Sequence, residues 1–111
     1  MEINIRESND IKIIDLNGNL DTNTAPDAES QLSKLMDEGS NNILINLDKL
    51  EYISSAGLRV FLATAKRIKS VGGKFELCHL NETVQEVFDM SGFSTILNVY
   101  KDESDALDGF K

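Results

Sequence analysis

The fold turns on residues 43–68, Ile43-Leu44-Ile45-Asn46-Leu47-Asp48-Lys49-Leu50-Glu51-Tyr52-Ile53-Ser54-Ser55-Ala56-Gly57-Leu58-Arg59-Val60-Phe61-Leu62-Ala63-Thr64-Ala65-Lys66-Arg67-Ile68. The apolar run from Ile43 to Leu47, broken only by Asn46, reads as a buried strand ending at Asp48. From Leu58 onward the apolar residues Leu58, Phe61, Leu62, Ala65 and Ile68 recur at helical spacing. Two adjacent hydroxyls and a glycine lie between strand and helix. Ser54 or Ser55 is therefore expected as the N-cap or first residue of that helix, accepting from backbone N–H groups that have no partner there. Gly57 falls in the first turn, where it is a poor helix former, and its missing Cβ is expected to leave the surface around Ser55 open. A serine hydroxyl at the positive end of a helix dipole is also a place where phosphate is tolerated. Taken alone, such a serine is more often only a cap.

Upstream of this stretch, Ile3 and Ile5 alternate with polar residues as in a half-buried strand. Ser8-Asn9-Asp10 is turn chemistry, and Ile11 to Leu16 resumes as a second strand, antiparallel to the first. Asn17-Gly18-Asn19-Leu20-Asp21 reads as the turn that follows it, with glycine supplying a positive φ angle. Thr22-Asn23-Thr24 offers caps and Pro26 suits an early helical position. Ala28, Leu32, Leu35 and Met36 form one apolar face, and Gly39 ends that helix.

Downstream, Gly72-Gly73 closes the central helix and residues 74–80 read as a strand. Asn81 caps a helix bearing Val84, Val87, Phe88 and Met90, which Gly92 closes. Thr95 to Tyr100 reads as a last short strand. Asp102 or Ser104 then caps a terminal helix that turns Ala106, Leu107 and Phe110 inward. Strands alternating with helices after an N-terminal hairpin give an α/β fold built on parallel βαβ units.

Composition narrows the function classes. The 111 residues suffice for a single domain with one core, residues 1–111, and no repeat or linker interrupts them. A formal net charge of −8 leaves no basic surface for nucleic acid and favours a partner with a complementary basic patch. Lys66, Arg67 and Lys69 cluster in the last turns of the central helix, where cations complement the dipole. No apolar run approaches a membrane span, and the N-terminus lacks the pattern of a signal peptide. The single Cys78 admits no intrachain disulfide, fits a reducing cytoplasm, and reads as a small buried hydrophobe. His79, the only histidine, has no cysteine or carboxylate at ligand spacing, so neither metal nor other cofactor is expected. A catalytic base for a nucleophile and a glycine-rich phosphate loop are both missing, which argues against an enzyme.

The segment Tyr52-Ile53-Ser54-Ser55-Ala56-Gly57-Leu58-Arg59-Val60-Phe61-Leu62 resembles the central motif of the STAS domain, in particular that of the bacterial anti-sigma factor antagonists. Gly18 to Asp21 resembles that family's glycine–any residue–leucine–aspartate turn. The resemblance implies a mixed sheet of about five strands flanked by about four helices. It also implies that Ser55 is the serine phosphorylated by a partner kinase. Ser54 stands where the family has aspartate and is a second candidate acceptor. Asp21, Ser54, Ser55, Ala56, Gly57, Leu58 and Arg59 would form the partner-binding surface. On this reading the unmodified protein binds an anti-sigma factor that is also a serine kinase and so frees the sigma factor. Phosphorylation of Ser55 ends binding, and a serine phosphatase restores it. The alternative is an unswitched STAS subunit of a lipid-transport complex or a stressosome-like scaffold.

Overall fold

The computed structural model describes residues 1–111. Five strands form one sheet in the order β1-β2-β3-β4-β5: β1 Glu2–Ser8, β2 Ile11–Leu20, β3 Asn42–Ile53, β4 Lys74–Cys78 and β5 Asn98–Tyr100. β1 pairs antiparallel with β2, and every later pairing is parallel. The hairpin turns through Asn9 and Asp10, both at positive φ, which asparagine and aspartate tolerate better than most residues. The helices are α1 Ala25–Asp37, α2 Ser55–Ser70, α3 Glu82–Ser91 and α4 Glu103–Asp108, with a 3-10 turn at Phe93–Thr95.

Each crossover from β2 to β5 advances one strand in the same direction. Right-handed connections then place all three crossover helices on the same face of the sheet. The main core lies there, joining Leu32 and Leu35 of α1, Phe61 and Ile68 of α2, and Val84 and Phe88 of α3 to Ile14, Ile45, Leu47 and Leu77 of the sheet. Phe61 is fully buried and packs at a tilt against Phe75 and Phe88, with ring centroids 6.2 and 6.5 Å away. Only the six-residue α4 covers the opposite face, where Ala106 meets Ile11, Ile13, Leu44 and Cys78. Cys78 is fully buried, and burial among the carboxylates of Glu103, Asp102 and Asp15 pushes its thiol up to about 12. It is the inert small hydrophobe expected of it.

Both central strands outrun the sequence reading. β2 continues to Leu20 rather than turning after Leu16, and β3 continues to Ile53 rather than ending at Asp48. Asn17, Gly18, Asp48 and Lys49 are weak strand formers, but register shifts after Asp15 and after Gly18 let the pair stay hydrogen-bonded through them. Gly18, at φ +115, takes the kink. The last strand is shorter than expected, because Phe93–Thr95 coils into the 3-10 turn. His79 lies beyond the end of β4 at φ 60 rather than within a strand. Met90 points to solvent instead of joining the α3 core face.

Candidate functional site

The extended ends of β2 and β3 set the position of the two serines. Leu20 and Ile53 are partners in the parallel register, and one residue later the Ser54 N–H donates to the Leu20 carbonyl at 2.9 Å. The β3-to-α2 junction is thereby locked to the β2-to-α1 junction. Asp21 sits in the second of these. Its Oδ1 accepts from the Asn23 and Thr24 N–H groups at 2.9 and 3.2 Å, and its own N–H donates to the Thr24 hydroxyl at 2.9 Å. That hydroxyl in turn donates to the Asn19 carbonyl at 2.8 Å. The Asp21 side chain therefore holds a tight Asx turn in place while remaining half-buried at the surface.

α2 begins at Ser55. Ser54 is its extended N-cap, and its carbonyl accepts from the Leu58 N–H at 3.0 Å. The Ser54 side chain does not perform the capping expected of it, since its hydroxyl is buried and has no hydrogen-bond partner in the protein. The first-turn N–H groups of α2 are thus left without a side-chain acceptor. Ser55, in contrast, is exposed. Of the two candidate hydroxyls, only that of Ser55 is presented at the surface beside the positive end of the helix.

Gly57 works differently from its sequence reading. It faces inward, and a Cβ there would lie 2.7 Å from Leu20 Cγ and 2.8 Å from Ile53 Cγ1. Glycine lets α2 sit directly on the two strand ends; it does not open the surface. Leu58 is likewise buried in the main core. The residues expected to form one surface therefore divide. Ser55 and Arg59 are exposed, Asp21, Ser54 and Ala56 are half-buried, and Gly57 and Leu58 support them from beneath.

Sequence reasoning missed the neighbouring wall. A cleft of about 360 Å³ runs between α1 and α2, bringing Thr22, Pro26 and Glu29 opposite Ala56, Arg59 and Ala63. Periodicity places Ala28 on the buried side of α1, but it does not say which helix lies alongside. Tyr52 was missed as well. It pairs in register with Asn19 and is 47% exposed, an aromatic presented at the same end of the sheet as Ser55. No group of three or more histidine, cysteine or acidic side chains has a geometry that could hold a metal ion. No helix is long and apolar enough to cross a membrane.

Comparison with known proteins agrees with this architecture. The family model of the STAS domain matches residues 2–106. BtrV of Bordetella bronchiseptica, provisionally described as an anti-sigma factor antagonist, is 36% identical over 111 residues, covering 100% of this chain and 96% of its own. The anti-sigma-B factor antagonist of Bacillus subtilis is 32% identical over 102 residues, 89% of this chain and 92% of its own. Among solved structures, a provisionally assigned anti-sigma factor antagonist from Thermotoga maritima superposes with a TM-score of 0.93 at 27% identity, covering 97% of this chain and 93% of that one. The phosphorylated form of the Bacillus protein SpoIIAA shares the fold with a TM-score of 0.75 at 21% identity, over 99% of this chain and 100% of that one. The five-stranded mixed sheet, the locked pair of strand ends and the serine that opens α2 thus occur in a chain that belongs to the STAS domain family.

Proposed function

We propose that this chain is an anti-sigma factor antagonist switched by phosphorylation of Ser55. The unmodified protein binds an anti-sigma factor that doubles as its serine kinase, and the sigma factor is released. Phosphate on Ser55 ends that binding, and a serine phosphatase resets the cycle in the cytoplasm. The chain acts as a binding module and a kinase substrate, with no catalytic residue of its own.

The observation that carries this reading is the exposed Ser55 hydroxyl at the first position of α2, beside helix N–H groups with no side-chain acceptor. A phosphate there adds about −1.5 to −2 charges. In the free protein that charge meets the favourable end of the α2 dipole, so its effect on stability is about 1 kcal/mol or less. Under a docked partner the same phosphate must shed water near Asp21, and burying an unpaired charge costs several kcal/mol. Changing a mostly bound population into a mostly free one takes about 5.5 kcal/mol, which is of that order. The switch therefore works by local repulsion and desolvation on a domain that stays folded. The contact surface consists of Asp21, Ser54, Ser55, Ala56 and Arg59 with the adjoining α1–α2 cleft, and Gly57 and Leu58 hold it in shape.

Incubation with the cognate kinase and ATP, followed by fragment mass spectrometry, tests the acceptor. Phosphate is expected on Ser55 and absent from a Ser55→Ala protein. Phosphate found only on Ser54, or unchanged labelling of Ser55→Ala, would overturn the assignment.

A further inference from the structure

On one side the sheet ends in β1, and that edge is open. No strand lies beyond it, and apart from its ladder with β2 it takes part in no backbone hydrogen bond. The turn shows which of its groups are free. Ser8 and Ile11 are partners across the two-residue Asn9–Asp10 turn, and the pair flanking such a turn is hydrogen-bonded. By alternation, Glu2, Asn4 and Arg6 direct their N–H and C=O groups to β2, whereas Ile3, Ile5 and Glu7 direct theirs outward.

Side chains alternate as well. Ile3 and Ile5 lie on the α1 face, paired with Leu16 and Ile14, and border an apolar slot with Leu32 and Leu35 of α1. Ile5 is 46% exposed. The strand holds neither proline nor bulge, two of the devices that keep sheet edges from pairing. Glu2, Asn4 and Arg6 lie on the other face, where Arg6 meets Asp15 and Glu103. Those two carboxylates take four of the five guanidinium N–H groups and leave one without an acceptor.

We propose that β1 pairs with β1 of a second copy of this chain, antiparallel about a two-fold axis at Asn4, so that both copies share one continuous sheet. Outward-facing residues must oppose one another, so the axis has to pass through a residue. With the axis at Asn4, Ile3 and Ile5 of one copy exchange N–H···O=C bonds with Ile5 and Ile3 of the other. The four isoleucines then cover one another on the α1 face. Glu2 lies opposite Arg6 of the second copy, where it can accept the remaining N–H. The neighbouring registers fit less well. An axis at Ile5 sets the Glu7 carboxylate against Ile3, one at Arg6 sets guanidinium against guanidinium, and one at Ile3 runs Arg6 past Glu2, where the opposing strand begins. The paired length is short and each chain carries a net charge of −8, so the association is weak and reversible. It requires neither kinase nor anti-sigma factor.

Analytical ultracentrifugation of the full chain from about 10 μM to about 1 mM tests this directly, and a monomer–dimer equilibrium with its Kd inside that range is expected. Ile5→Lys, with a thermal melt to report an intact fold, is expected to weaken dimerisation at least about tenfold. Cysteine cross-linking reads the register, since the native Cys78 is fully buried. Asn4→Cys is expected to form a disulfide-linked dimer readily, because Cα atoms in such a facing pair stand about 4.5 Å apart. The two copies of Glu2 are offset along the strands by about 13 Å, so Glu2→Cys is expected to cross-link at least about tenfold more slowly. A monomer at every concentration, undiminished dimerisation of Ile5→Lys, or cross-linking of Glu2→Cys as fast as that of Asn4→Cys would each overturn the proposal.

Discussion

The two ends of helix α2 are built on opposite plans. At its start, at Ser55, the site is made mainly of backbone. Strand ends are fixed by a Ser54-to-Leu20 hydrogen bond, helix N–H groups lack a side-chain acceptor, and a glycine lets the helix lie on Leu20 and Ile53. The hydroxyl it presents is exposed and free of charge. Beyond its far end the polar feature is a buried side-chain carboxylate, that of Glu76 on β4, which lies on the sheet face that α4 covers. A backbone-made site is expected to accept a large new charge without refolding, because little in it must rearrange. A buried charge is held at a standing cost to stability.

Both ends depend on a glycine where another chain segment presses close, and the two contacts are unequal. At Gly73 a Cβ would come 1.9 Å from the Asn41 carbonyl oxygen, which is backbone and cannot step aside. Gly73→Ala is expected to lower stability by about 3 kcal/mol, the upper part of the overpacking range. At Gly57 the clash is with the buried Leu20 and Ile53 side chains rather than with backbone, and alanine recovers helix propensity of about 1 kcal/mol. Gly57→Ala is expected to cost about 1–2 kcal/mol net, and to reduce partner binding by displacing Ser55. Urea unfolding of both variants checks the order. A Gly57→Ala protein less stable than Gly73→Ala would show that the two ends had been ranked wrongly.

The carboxylate at the far end is expected to move stability in the other direction. With its folded pKa above the unfolded value, ionised Glu76 opposes folding, so its penalty is full above the folded pKa, shrinks as pH falls below it, and is gone below the unfolded pKa. Glu76→Gln should therefore raise stability at pH 7 by about 1 kcal/mol, with the advantage shrinking on acidification. Thermal melts from pH 7 to pH 4 measure this, and a destabilised Glu76→Gln protein would contradict it.

The smallest effect belongs to the ion-paired corner where α4 meets the hairpin. There Arg6 donates to Asp15 at 2.7 Å and to Glu103 at 2.6 Å, and Asn46 donates to Glu103 at 3.1 Å. The hydrogen bond from Arg6 holds the Glu103 carboxyl below its usual range. Its contribution is present above the unfolded pKa and is lost as pH falls through the folded one, the reverse of Glu76. Because Arg6 is half exposed, Arg6→Ala should cost only about 0.5–1 kcal/mol at pH 7, and less in high salt. A loss of several kcal/mol in urea unfolding would mean that this corner, not the small apolar cluster around Ala106, holds α4 in place.

Sequence patterning made the element order and the Ser55 end legible because both are written locally. Ile43–Leu47 gives the buried strand, Leu58–Ile68 the helix period, and Asn81 and Asp102 the caps, whose side chains accept from the Val84 and Asp105 N–H groups at 2.8 and 2.9 Å. The strand extensions to Leu20 and Ile53 were not legible, because pairing across bulges overrides the poor propensity of Asn17, Asp48 and Lys49. The inward role of Gly57 was hidden for a related reason, since only the tertiary contact shows which side of α2 it occupies. Glu76 sat unnoticed in an alternating strand pattern. Its burial comes from α4 and β5 closing over the second face of the sheet, and no local signal announces that.

Calorimetric titration of the cognate anti-sigma factor kinase into the unmodified and the Ser55-phosphorylated protein, with thermal melts of both forms, tests the central claim most directly. A loss of affinity approaching 10⁴-fold is expected, about 5.5 kcal/mol, with the melting temperatures of the two forms nearly equal. Full affinity in the folded phosphorylated protein, or lost affinity only where that protein has unfolded, would contradict the local switch at Ser55.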